Sequence, residues 1–115
     1  MKIVYKDKKI ERLCNDEEYA NKYIGKDVTI KLMKVIYLLR NVSSLSDIYV
    51  YKSLNLHKLK GDLKDLYSIY LGKNTGYRLI IKPMNDELEI IVIKDTKEFK
   101  DVKNIEIVEV SKHYE

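Results

Sequence analysis

A single cysteine, Cys14, leaves no partner for an internal disulfide and no set for a cysteine-rich metal site. It suits a reducing compartment, and its expected role is that of a small buried apolar residue. With only two histidines, His57 and His113, set far apart in sequence, no zinc set is recognisable. There is no Gly-x-Gly-x-x-Gly, no phosphate-binding loop and no Ser-His-Asp cue, so neither metal nor cofactor is expected. No apolar run approaches a membrane span, and the opening MKIVYKDKKIERL holds none long enough for a signal peptide. A soluble cytoplasmic protein is the expectation. One proline and four glycines leave no linker-like tract, and no internal repeat or low-complexity segment is present. One domain over residues 1–115 follows from this and from the length. Tryptophan is absent and phenylalanine occurs once, yet there are ten tyrosines. Most of these should sit at the edge of the core, with a minority free to stack on bases.

What is present is an apolar content of 45%, enough for a folded core rather than a disordered chain. Charge is unevenly spread. Residues 52–82 carry seven basic side chains against two acidic ones, and residues 83–115 carry nine acidic against five basic. The positive charge is thus concentrated in one segment, as a polyanionic partner requires.

Lys2 to Tyr5 reads as a short strand and Lys8 to Leu13 as a helical turn. Asn15 and Glu18 form a capping-box pattern for a helix ending at Ile24, with Gly25 beyond its end. Val28, Leu32, Val35, Ile36, Leu39 and Val42 recur at helical spacing, which predicts a long helix capped by Asp27 and ending near Asn41. Ser44 to Asp47 offers another cap, for a helix ending near Tyr51. The period then changes. Asp65–Leu71 and Gly76–Lys82 read as a hairpin around Gly72–Thr75, with Pro83 ending the second strand. Tyr77, Leu79 and Ile81 share one face and Arg78, Ile80 and Lys82 the other. Leu88–Ile93 is a further apolar run, 95–101 a polar loop or turn, and Ile105–Val110 a last strand. Helices followed by a β-meander make the class α+β.

The ordered set His57-x-Leu59-Lys60-Gly61-Asp62, then Tyr67-Ser68-Ile69, then Tyr77-Arg78-Leu79, then the strand IEIVEV before His113-Tyr114, resembles the RelE/ParE superfamily of bacterial toxins. The similarity is to its HigB-like, plasmid-maintenance-killer branch, and it covers nearly the whole chain. It implies a RelE-like fold, with N-terminal helices on one face of a twisted, mainly antiparallel sheet of four to five strands. It also implies a toxin of a type II toxin–antitoxin system that cuts mRNA on the ribosome, held inactive by a cognate antitoxin. That antitoxin would be a HigA-like helix-turn-helix protein, and DNA binding would belong to it rather than to this chain. His57, Lys60 and Arg78 match the basic positions of the ribonuclease branch. The family's closing Asp-Tyr-His stands here as Lys112-His113-Tyr114, with lysine for the acid and the last two exchanged.

Metal-independent RNA cleavage must deprotonate the 2′-OH, stabilise charge on the phosphate and protonate the leaving oxygen. Histidine can serve either proton step; lysine can act as a base when neighbouring cations make it less basic. Arginine holds phosphate oxygens in its planar fork. Arg78 is accordingly expected on the phosphate, His57 or Lys60 at the proton steps, and His113 and Tyr114 at the second proton step or in stacking. Lys58, Lys64, Lys73, Lys82 and Lys112 are expected on RNA backbone, chiefly ribosomal. Each has a structural competitor: lysines solvating a strand edge, an Arg78 ion pair, a frayed tail. Two other activities stay open on the same fold, inhibition of DNA gyrase as in the ParE-like branch and an inactive binding module.

Overall fold

The computed structural model of the chain describes residues 1–63 and 65–112. β1 (Lys2–Tyr5) is followed by helices α1 (Lys8–Asn15), α2 (Glu17–Ile24), α3 (Lys26–Asn41) and α4 (Leu45–Tyr49). Then come β2 (His57–Lys58), β3 (Tyr67–Tyr70), β4 (Tyr77–Met84) and β5 (Asn104–Lys112). Single 3₁₀ turns occupy Lys52–Leu54 and Gly61–Leu63, and a longer one Thr96–Asp101. The strands form one sheet in the order β1-β5-β4-β3-β2. Its pairings are antiparallel except that β1 runs parallel to β5 at one edge.

The helices cover one face of this sheet. From α3, Val28, Leu32, Val35, Ile36 and Leu39 are buried, as the helical stripe requires. They join Tyr67 and Ile69 of β3, Leu79 and Ile81 of β4, and Ile105 and Ile107 of β5 in one core. Cys14 lies in that core; burial pushes its thiol up to about 12, against the pull of the Arg40 charge, so it stays protonated. No helix among the described residues is long and apolar enough to cross a membrane.

Helix starts differ from the sequence expectation by one or two residues. Asp16, not Asn15, caps α2: its Oδ1 accepts from the Tyr19 amide at 3.1 Å. Asn15 is instead the last residue of α1, and its side-chain amide donates to the Tyr5 hydroxyl and the Glu11 carbonyl. Similarly α3 starts at Lys26, so Asp27 lies inside its first turn, where a carboxylate still favours the helix dipole. Gly25, at φ 83°, lets the chain break between α2 and α3 in one residue, and its carbonyl accepts from both the amide and the hydroxyl of Thr29. Ser44 and Asp47 do form the expected capping box.

Asp16 carries a pH signature. The Tyr19 amide, aided by Arg12 and opposed by desolvation, holds its carboxyl below the usual range. A folded value below the unfolded one means the stabilisation is present above the ordinary carboxylate range and is lost as pH falls through the folded value. Asp16→Asn keeps the cap but removes the charge. It is expected to unfold at lower urea than wild type at pH about 7, and the gap should close at pH about 2. A gap unchanged by pH would contradict the assignment.

Pro83 does not end β4, which runs on to Met84 with Pro83 opposite Ile105. Antiparallel alternation directs its nitrogen toward the β3 side, and β3 begins only at Tyr67, opposite Ile81. The missing N–H therefore breaks no ladder bond, and the Pro83 carbonyl accepts from Ile91 at 3.3 Å. The 88–93 run forms no strand and makes one isolated bridge, Ile90 to Met84. The 95–101 stretch is the longer 3₁₀ segment, capped by Asp95 with Glu98.

Candidate active site on the sheet face away from the helices

Side chains alternate across a strand, so residues beside the core residues Ile69, Leu79 and Ile81 face away from the helices. These are Ser68 and Tyr70 on β3, and Arg78, Ile80 and Lys82 on β4. Tyr70 is the direct cross-strand neighbour of Arg78, and His57 that of Ser68. The hairpin and its short third strand thus gather His57, Ser68, Tyr70 and Arg78 on one patch.

Tyr70 organises the patch. The Arg78 guanidinium carbon lies 3.9 Å from the centre of the Tyr70 ring, a stacked cation–π contact. Arg78 is buried, and its Nη1 donates to the Tyr77 carbonyl at 2.9 Å. The His57 ring meets the same tyrosine edge-on, at 6.3 Å between centroids and 89° between planes. His57 Nδ1 is 2.7 Å from the Asn55 carbonyl. A carbonyl only accepts, so Nδ1 is the donor in this contact, and in a neutral ring so held Nε2 is the acceptor nitrogen. Asn55 presents that carbonyl from a left-handed conformation, φ 45°. Beneath His57, the buried Ser68 hydroxyl has no hydrogen-bond partner among the described residues. The arrangement gathers an imidazole and a guanidinium around one aromatic ring, the guanidinium over its face and the imidazole edge-on to it.

The other expected residues are distributed as follows. Lys82 is half-buried on the same face, opposite Glu106 of β5. Lys60 is exposed where β2 leads into the 61–63 turn, and Lys73 is exposed at the tip of the β3–β4 hairpin. Lys58 alternates with His57 and points to the helix side, where its Nζ donates to the Ile93 carbonyl at 3.2 Å. Lys112 also lies on that side, its Nζ 5.0 Å from the Tyr77 ring centre. Lys64, His113 and Tyr114 lie outside the described residues. Tyr70 is the site residue missed from sequence. Its signal was available: a hairpin closing at 72–75 pairs it with Arg78, and alternation puts both on one face. Among the described residues no three His, Cys, Asp or Glu side chains converge.

Comparison with known proteins fits this geometry. The sequence profile of a family described as "RelE-like toxin of type II toxin-antitoxin system HigB" matches residues 3–95. Among solved structures, a "YoeB/ParE toxin from Agrobacterium tumefaciens" is similar over 99% of this chain and 100% of that one, with a TM-score of 0.53 and 14% identity. At that identity the likeness speaks for the fold, and it agrees with the RelE-like architecture. No curated protein matches the sequence significantly.

Proposed function

This chain belongs to the HigB-like family of RelE-like toxins of type II toxin–antitoxin systems, and from that premise we propose that it is a ribosome-dependent endoribonuclease. It cuts mRNA without a metal, using the RNA 2′-OH as nucleophile, and it works in the cytoplasm. The observation that carries this reading is the Tyr70-centred cluster, with Arg78 stacked on one side of the ring and His57 at its edge. A toxin of this family has a cognate antitoxin; we take it to be a HigA-like helix-turn-helix protein that also supplies any operator binding.

In this mechanism the mRNA crosses the face of the sheet turned away from the helices. Arg78, its plane fixed by Tyr70, holds the scissile phosphate and meets the charge that grows there. His57 Nε2 takes the 2′-OH proton, the Asn55 carbonyl keeping the ring in the required tautomer. Lys60 stands as the alternative base, and His113 or Tyr114 protonates the leaving 5′ oxygen or stacks on a base. Lys73, Lys82 and Lys64 hold the RNA backbone. Lys58 and Lys112, on the far side, would meet ribosomal RNA instead.

Primer extension on an mRNA in a purified translation system tests the reading. Cuts by the wild-type chain that require ribosomes and are absent on naked RNA are expected. A folded protein that arrests growth without cutting would move the activity to a gyrase-type target, and one that does neither would make it a binding module.

A further inference from the structure

A cavity of about 280 Å³ opens where α4, β2 and the Thr96–Asp101 turn meet. Its floor is apolar and buried: Leu56 just ahead of β2, Tyr67 at the start of β3, and Ile93 and Phe99. Local structure builds this floor. Strand alternation turns Tyr67 to the helix side together with Ile69. The capping box of Asp95 and Glu98 starts the turn that carries Phe99 inward. Phe99 is met edge-on by Tyr67, at 5.7 Å between centroids, and by Tyr49, at 5.2 Å. Three rings thus hold one another in a fixed arrangement. Tyr49 is 47% exposed, so part of its ring stands as a wet wall of the cavity.

The mouth is cationic. Lys58 and Lys94 line it; both are exposed, and neither forms an ion pair among the described residues. Asp95 is the one acid among the described lining residues. Its carboxylate is occupied with the Lys97 amide and the cap of the turn. The Thr96 hydroxyl adds a donor and an acceptor at the mouth. His57 also borders the cavity, and its ring is the one that meets Tyr70 in the candidate active site. One side chain therefore separates the two.

We propose that this cavity takes one unstacked nucleobase of an RNA, packed against Tyr49, with the neighbouring phosphates on Lys58 and Lys94. A base has a flat apolar face for the aromatic wall and a polar edge for Thr96. Its phosphates stay outside, where the lysines are. An aromatic side chain of a protein matches the floor but brings no charge of its own to the two ammonium groups, whereas every nucleotide brings a phosphate. The base belongs either to the mRNA or to ribosomal RNA; the chemistry of the cavity is the same for both. The inference rests on the RNA-cutting reading for its class of ligand, and it adds a base subsite to that reading.

The test is fluorescence anisotropy on the full chain with a short 2′-O-methyl oligonucleotide, which cannot be cut through a 2′-OH. It carries one 2-aminopurine among uridines, and its twin has an abasic position there. The wild type should bind the base-bearing probe about tenfold more tightly than its twin, with aminopurine fluorescence falling as the base stacks. Tyr49→Ala should bring the two affinities together. So should Thr96→Trp, which fills the mouth from an exposed position and leaves the floor alone. Tyr49→Phe should keep the difference, and Lys94→Glu should weaken both probes alike. Equal binding of the two probes by the wild type, no binding of either, or a difference that survives both Tyr49→Ala and Thr96→Trp overturns the proposal. So does a tryptophan-bearing peptide, measured in parallel, being the ligand that both substitutions release. In the translation assay, a change in which sequences Tyr49→Ala cuts assigns the base to mRNA, and an equal fall at all sites assigns it to ribosomal RNA. A wild-type chain that prefers the base-bearing probe and cuts nothing sinks the nuclease reading and leaves the base subsite standing.

Discussion

Arg78→Ala is expected to lower the rate of ribosome-dependent mRNA cleavage by about 10²–10³, the usual cost of removing one group that stabilises transition-state charge. The structure makes the effect specific to this arginine. Its guanidinium is stacked 3.9 Å over Tyr70 and tied to the Tyr77 carbonyl, so its orientation is set before substrate arrives. It is also buried, and a charge with little water around it exerts a stronger field on a bound phosphate than an exposed lysine does. Arg78→Lys should recover little, because an ammonium neither stacks as a plane nor offers a bidentate fork. Tyr70→Phe should keep most activity, since the ring rather than the hydroxyl holds the guanidinium, whereas Tyr70→Ala should lose much of it. Single-turnover cleavage with purified ribosomes reads all four variants, and circular dichroism verifies that each is folded. An Arg78→Ala protein that is folded and cuts at the wild-type rate would sink the assignment.

Much of this site was legible because it lies on locally determined structure. The hairpin follows from two short apolar runs around Gly72–Thr75, and alternation alone separates Arg78 from Leu79 and Ile81. The α3 stripe likewise needs only a helical period, and it delivers the face that covers the sheet. The gathering of positive charge in 52–82 was legible as a total but not as a surface. Lys58 and His57 are adjacent in sequence, yet a two-residue strand sends them to opposite faces. Lys31 and Lys34, outside that segment, share a groove with Lys52 and Lys73 because α3 packs beside the β3 edge.

What was not legible depends on neighbours remote in sequence. Asn15 and Asp16 are both good caps, and the choice falls on Asp16 because Asn15 is engaged by Tyr5 and Arg40 at the end of α1. Pro83 reads as a strand terminator until β3 is known to stop opposite Ile81. Leu88–Ile93 has the composition of a strand, but Ile90 bridges only Met84, and composition says nothing about whether a ladder partner exists. Tyr70 was hidden among ten tyrosines until the pairing with Arg78 distinguished it.

The dependence of this site on the core gives the second large effect. Ile69→Ala should destabilise the fold by about 2–5 kcal/mol, against a total of about 5–15 kcal/mol for a domain of ordinary stability. Ile69 is fully buried and sits opposite Leu79, on the helix-covered face of β3. β3 is nearly an edge strand, since β2 pairs with it at only two positions. Its seating therefore depends on the β4 ladder and on its core side chains, of which Ile69 is the central one. Truncation leaves a cavity that rigid neighbours such as Leu79 and Ile81 fill incompletely. Ile69→Val removes one methylene and should cost about 0.5–1.5 kcal/mol. Urea unfolding should show the midpoint falling in that order with little change in slope. Ser68 and Tyr70 flank Ile69 on the opposite face, so a loosened β3 also displaces the ring on which Arg78 rests. The alanine variant should accordingly lose cleavage at temperatures well below its unfolding midpoint, whereas the valine variant should not. Equal and small losses for the two substitutions would mean that β3 is not held by its core side chains as described.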